Sequence, residues 1–401
     1  MRNIILCIVI LLAFNLNLLS IEVSSIEKFL DNAVFDALCS KTGEIIFMRK
    51  DSNGIFQLYL VKENSENPEL EKVCISEKPK KTIGIERAML PLVHKGASDW
   101  HPSGKWFITQ VEIPYNISWK YKKRLPGTRL LAEPGAGWWN NLFLVKRDGS
   151  LWIKLTDFTP FDLKSGVLYP KFSEDGNMIS WAERIGGAKP FDKYPFAKWV
   201  LKIAKINMKA DIPYLYNIKT YPLKDGTIFE PQDWFSNDKL LFAGDIGYSE
   251  LPYPAYRIDL WEAEIDSNGN IKNLKNLTET KDFYEEQASY SPDGRLIALM
   301  ANQFDLNYTR KLMATWKIYG SKFNSFITKH LKTELYIMNP KDKVLTRLTH
   351  FSEKEWGDSH PLVTRSAWSK DGKTIFIALT LRSNLNGKKT GNCIYRIKLK
   401  D

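Results

Sequence analysis

The stretch Tyr290-Ser291-Pro292-Asp293-Gly294-Arg295-Leu296-Ile297-Ala298 joins an aromatic residue to an apolar strand through a tight polar turn. Pro fixes φ, Asp offers a short side chain to nearby backbone N–H groups, and Gly reaches positive φ without steric cost. The pattern recurs along the chain. It reads Trp100-His101-Pro102-Ser103-Gly104-Lys105-Trp106, Phe172-Ser173-Glu174-Asp175-Gly176-Asn177-Met178 and Trp368-Ser369-Lys370-Asp371-Gly372-Lys373-Thr374. Two weaker copies are Cys39-Ser40-Lys41-Thr42-Gly43-Glu44 and Phe235-Ser236-Asn237-Asp238-Lys239. The residue after each turn stands at 44, 105, 177, 239, 295 and 373, so there are six units. A four-stranded propeller blade needs about 40–45 residues. Spacings of 61, 72, 62, 56 and 78 therefore give each unit an insertion.

A second pattern trails the first. Glu334-Leu335-Tyr336-Ile337-Met338 leads to Leu348-Thr349, Asn141-Leu142-Phe143-Leu144 to Leu155-Thr156, and Leu260-Trp261-Glu262 to Leu277-Thr278. Period-two alternation marks half-buried strands, and the Asp-Gly and Asn-Gly pairs mark hairpins. Each unit reads as four antiparallel strands, A to D. The Ser-Pro-Asp-Gly turn with its Leu-Tyr and Leu-Thr followers resembles the TolB-like repeat, a relative of the WD40 repeat. The resemblance covers nearly all the chain after its leader and implies an all-β, six-bladed β-propeller. TolB carries an additional N-terminal α/β domain, for which this sequence leaves no room, so nothing that domain does is carried over.

Residues 1–20 read as an export signal, with Arg2 before the apolar run Ile4–Phe14. That run is shorter than the roughly 20 residues of a membrane span. Cleavage is expected between residues 20 and 25, leaving a single propeller domain over 21–401 in a periplasmic or secreted protein. Cys39, Cys74 and Cys393 remain, an odd set that reads as buried free thiols. The last unit has strands A, B and C but no D. The unpartnered stretch Ser25–Leu30 is expected to supply it, because an open ring leaves a bare sheet edge.

The formal net charge is +11 and aromatics make up 13% of the chain. The charge is satisfied by a lysine-rich surface, and it also favours an anionic partner. Nucleic acid is excluded by the export signal. Strand order puts the B–C and D–A connections on one face, where the long insertions lie, and long loops on a rigid scaffold collect binding residues. The B–C insertions carry Trp119, Lys120, Lys122, Lys123 and Arg124, then Trp138 and Trp139, and in the fifth unit Lys311 and Trp316. Such aromatics also simply fold loops onto blade tops. The D–A connectors carry His94, Tyr169, Glu230, Glu285 and His360 toward the channel mouth, as ligand contacts or as solvated rim. Counting back five from the repeat aromatic makes Glu230 and Glu285 equivalent. Glu112, Glu183 and Asp245 end strand B in successive units and offer hard oxygen ligands of the kind calcium takes.

Gly-x-Ser-x-Gly, His-Glu-x-x-His, Cys-x-x-Cys and the phosphate loop are all missing. No catalytic residue, metal ligand set or cofactor is assigned from the sequence. The expectation is a non-catalytic envelope binding or scaffold protein, taking a protein partner or an anionic glycan on the insertion face. The alternative is a metal-dependent lyase or hydrolase acting on an acidic saccharide in the channel, since some TolB-like relatives are sugar lyases.

Overall fold

The computed structural model describes residues 21–114, 132–159, 165–186, 197–222, 226–248, 257–280, 282–305, 307 and 330–400. Their strands form six antiparallel sheets. Blade 1 is Val34–Cys39, Glu44–Lys50, Phe56–Lys62 and Val73–Cys74, as strands A to D. Blade 2 is Lys95–Trp100, Trp106–Glu112, Asn140–Lys146 and Leu151–Lys154, and Lys81–Ile83 pairs parallel to its outer edge. Blade 3 is Val167–Phe172, Met178–Gly186, Lys198–Asn207 and Tyr214–Tyr221. Blade 4 is Phe229–Phe235, Lys239–Gly244, Asp259–Ile265 and Ile271–Asn276. Blade 5 is Glu285–Tyr290, Ile297–Ala301, Glu334–Met338 and Leu345–Arg347.

Blade 6 closes the ring. Its strands A to C are Ser359–Trp368, Thr374–Ser383 and Lys389–Leu399, and its outer strand is Val23–Asp31 from the other end of the chain. Ile26 pairs with Ile397, Lys28 with Tyr395 and Asp31 with Cys393. Phe29 and Leu30 are buried there beside Phe376 and Ile394. The composite blade expected from the missing strand D is present. The inner strands of successive blades pack on one another, and those of blades 6 and 1 pack together, so the disk is complete.

The repeat residues hold this geometry by local bonds. In blade 5 the Ser291 hydroxyl donates to Asp293 at 2.7 Å and accepts the Leu296 N–H at 3.0 Å, while Gly294 takes φ 67°. Ser173 and Ser369 do the same in blades 3 and 6. The Leu-Thr element latches strand D to strand C. The hydroxyls of Ser76, Thr156, Thr278 and Thr349 accept the backbone N–H of Leu58, Leu142, Leu260 and Leu335 at 2.9–3.1 Å. In blades 1, 2 and 5 the same hydroxyl donates to the polar residue just before that leucine, namely Gln57, Asn141 or Glu334. Apolar faces then stack between blades, as where Ile46 and Leu58 meet Trp100, Phe107 and Trp152.

Two expectations shift. Of the three free thiols only Cys39 is fully buried; Cys74 and Cys393 are half-buried. The aromatic of blade 4 that matches Trp100 and Tyr290 is Trp234, not Phe235: Trp234 pairs with Leu240 as Trp100 pairs with Phe107 and Tyr290 with Ile297. The blade 4 turn lacks the glycine, so counting from it slips by one residue.

Candidate functional site

Every inner strand carries a β-bulge, at Asp36, Ala97–Ser98, Tyr169–Pro170, Gln232, Gln287–Ala288 and Arg365. A bulge re-aims side chains. Ala97, Tyr169, Gln287 and Arg365 sit there at φ of 45–55°, a region non-glycine residues seldom enter. These bulges line the central channel. Arg365 ion-pairs with Asp36, which also accepts the Ser98 N–H at 2.7 Å, and the Arg365 guanidinium lies 5.3 Å from the Tyr169 ring centroid. Enclosure by protein lowers the Arg365 pKa to about 10, and the same enclosure raises the Tyr169 hydroxyl well above its usual range. The space left at this waist is 20 Å³. That is room for one or two waters.

On the side where strands A begin, Glu230 and Glu286 meet. They are 9% and 6% exposed. Burial, and then the neighbouring Glu286, raise the Glu230 carboxyl well above the carboxylate range. Tyr284 donates its hydroxyl to Glu286 at 2.7 Å, while Glu230 Oε2 has no partner among the described residues. Beyond the waist, Asp99 and Asp233 accept the N–H groups of Phe172 and Tyr290, each at 2.8 Å, in the next blade. Lys171 stands 3.6 Å from Asp99. Burial pushes Asp233 up to about 7.

A larger pocket, of 330 Å³, lies on the insertion face of blade 2. Small-molecule sites begin at about this size. Ile85, Met89, Phe143 and Phe158 supply apolar walls, and Glu86, Asn141, Lys154, Asp157 and Thr159 supply polar ones. Ile113 and Pro114 form its rim, where the chain leaves strand B toward the basic insertion. Asn141 accepts the Phe158 N–H at 2.9 Å, which fixes that wall to the start of strand C.

The structure places the expected residues unevenly. Trp119, Lys120, Lys122, Lys123, Arg124, Lys311 and Trp316 lie outside the described residues, as does the leader. Trp138 and Trp139 are 8% and 7% exposed and pack edge to face, with Arg184 3.4 Å from the Trp138 ring centroid. Their rings fasten the insertion to the blade. His94 is buried just before strand A of blade 2, where its Nδ1 accepts the Phe56 N–H of blade 1 at 3.1 Å. Tyr169, Glu230, Glu285 and His360 lie on inner strands rather than in connectors. Glu285 is fully buried, accepts Gln303 at 2.6 Å and is pushed up to about 7 by burial. Its counterpart in blade 4 is Phe229; that of Glu230 is Glu286, by pairing register. Glu112, Glu183 and Asp245 do not converge. Glu112 and Asp245 take backbone N–H groups at the start of strand A in their own blades, and Glu183 takes Lys202 at 3.1 Å. Among the described residues no group of three or more His, Cys, Asp or Glu is placed to hold a metal. Sequence reasoning passed over Asp36, Arg365, Tyr284 and Glu286, the groups that make the channel.

No family model matches the sequence, and no curated protein matches it. Solved structures similar in shape include TolB from Acinetobacter baumannii, at 12% identity and TM-score 0.47 over 90% of this chain. This chain spans 64% of that TolB chain. A putative TolB from Agrobacterium tumefaciens is 9% identical, TM-score 0.48, with 92% and 90% of the two chains covered. An oligogalacturonate lyase in complex with manganese is 9% identical, TM-score 0.44, with 94% and 96% covered. The fold is a six-bladed β-propeller. The ring of six sheets and its Ser-x-Asp-Gly turns establish this, and at such identities no activity transfers from these neighbours. The propeller has no helix, among the described residues, long and apolar enough to cross a membrane.

Proposed function

We propose that this propeller is an exported, non-catalytic binding or scaffold module that receives a protein partner or an anionic glycan on its insertion face. The observation that carries the reading is the 330 Å³ pocket with mixed apolar and polar walls, lined as far as Pro114, from which the sequence runs on into the basic-aromatic segment. Its apolar walls supply burial, and the basic residues supply attraction over a longer range. The test is binding to the native partner by wild type, by Phe158→Ala, and by a Lys120/Lys122/Lys123/Arg124→Ala variant, at low and high salt. Phe158→Ala should weaken binding at both salts. The basic variant should weaken it at low salt and match wild type at high salt, since exposed charges are screened beyond about 8 Å at physiological ionic strength. Unchanged binding by both variants contradicts the proposal.

One observation favours the second reading, a lyase or hydrolase acting on an acidic saccharide in the channel. Glu230 and Glu286 are two buried carboxyl groups side by side in the channel, the residue types that general acid–base chemistry needs. Turnover of an acidic oligosaccharide that is lost in Glu230→Gln supports that reading; no turnover by wild type removes it.

A further inference from the structure

His360, Arg382 and Lys389 form a row across the insertion-face end of blade 6. His360 pairs with Arg382 in the A–B ladder, and Arg382 pairs with Lys389 in the B–C ladder. Like charges directly opposite one another destabilise a sheet, so the row has a cost that the blade itself does not offset. Arg382 gives one N–H to the Gly387 carbonyl at 3.2 Å, and its Nε is buried with no partner among the described residues. Glu133, the acid within electrostatic reach of Lys389, is held by Lys50 at 2.8 Å. Among the described residues, the charged groups facing His360 are Lys332, Arg382 and His330, all basic.

The imidazole adds direction. His360 is 2% exposed. Its Nδ1 lies 2.9 Å from Asn384 Oδ1, an acceptor, so Nδ1 carries the hydrogen. Nε2 is buried and has no partner among the described residues. It presents a lone pair when neutral and an N–H when protonated. Burial and the three basic neighbours lower the His360 pKa below 6.5, and enclosure and like charges lower Lys389 to about 8. An anion in the row relieves both.

We propose that Arg382 and Lys389 bind an oxyanion, a carboxylate or a tetrahedral phosphate or sulfate group, and that His360 becomes its third donor on protonation. The site extends the insertion-face reading without depending on it, because a small anion is tested with no partner present. Failure here leaves the docking proposal standing, and the reverse holds too.

The test is calorimetric titration of the full chain with sulfate and with acetate. Sulfate keeps its charge from pH 5 to 8, so any pH dependence belongs to the protein. The expected result is one saturable sulfate per chain, weakened at least about tenfold by Lys389→Gln or Arg382→Gln, since charge-assisted hydrogen bonds are the strong ones. Melting curves check that Lys389→Gln and Arg382→Gln keep the fold. Wild-type affinity should fall several-fold from pH 5 to 7, below the range in which Lys389 loses its proton, and His360→Gln should remove that dependence. Saturable binding of acetate as well assigns the site to carboxylates; sulfate alone assigns it to tetrahedral anions. No saturable binding of either, equal affinity in Lys389→Gln, or an unchanged pH dependence in His360→Gln overturns the proposal.

Discussion

Glu230 and Glu286 are two acids side by side in a protein of formal charge +11, and among the described residues no basic group facing Glu230 offsets them. Burial and the second carboxylate raise the folded pKa of Glu230 above its unfolded value of about 4.3. A raised acid costs no stability below the unfolded pKa, and an increasing amount as pH climbs from there to the folded pKa. Glu230→Gln removes that cost. The variant should therefore unfold at higher urea than wild type at pH 8. The gap should close toward pH 4.5. Equal midpoints at pH 8 would show Glu230 to be ionised without penalty. The pairing was hidden in the sequence because it depends on register. The missing glycine in the Asp238-Lys239 turn shifts the count by one and matches Glu230 to Glu285 instead of Glu286.

Turns and strands were more legible, because their chemistry is local. Ser, Asp and Gly in the Tyr290–Leu296 stretch satisfy each other's hydrogen bonds, so the motif announces its hairpin wherever it occurs. A Cβ on Gly294 would sit 2.1 Å from the Phe235 ring of blade 4, at φ 67°. Gly247 also has positive φ but nothing within 4 Å. Gly247→Ala should cost about 1 kcal/mol from the backbone alone, and Gly294→Ala clearly more, since ring and turn must both move. Chemical denaturation compares them; equal losses would mean that the Phe235 contact carries no constraint. The missing strand D was legible for the same reason: it is a gap in a counted series. Removing residues 21–31 uncovers Phe376 and Ile394 and bares the Lys389–Leu399 edge. The melting temperature should drop by about 10 °C or more, with aggregation of the exposed edge. An unchanged value would mean the ring does not need its composite blade.

Across the whole molecule, sequence located the face and missed the axis. Strand order alone put the insertions on one side. The waist depends on Asp36 meeting Arg365 across 329 positions, and no spacing rule reports that. The tryptophans show the same limit. Trp138 and Trp139 stand in a basic-aromatic insertion, yet their rings are buried against Arg184 and each other. Trp138→Ala should therefore cost about 3–5 kcal/mol of stability, the range for emptying a large aromatic site. A variant that kept full stability would return Trp138 to the contact surface. The proposed function puts partners on the insertion face of blade 2 and not on the opposite face of A–B turns. Site-specific photo-crosslinking in the native host tests it directly, with the probe at Glu86 or Thr159 beside the pocket, or at Glu174 or Arg295 in the turns. Adducts from Glu86 and Thr159 but not from Glu174 and Arg295 are the predicted result; adducts confined to the turn positions would contradict it.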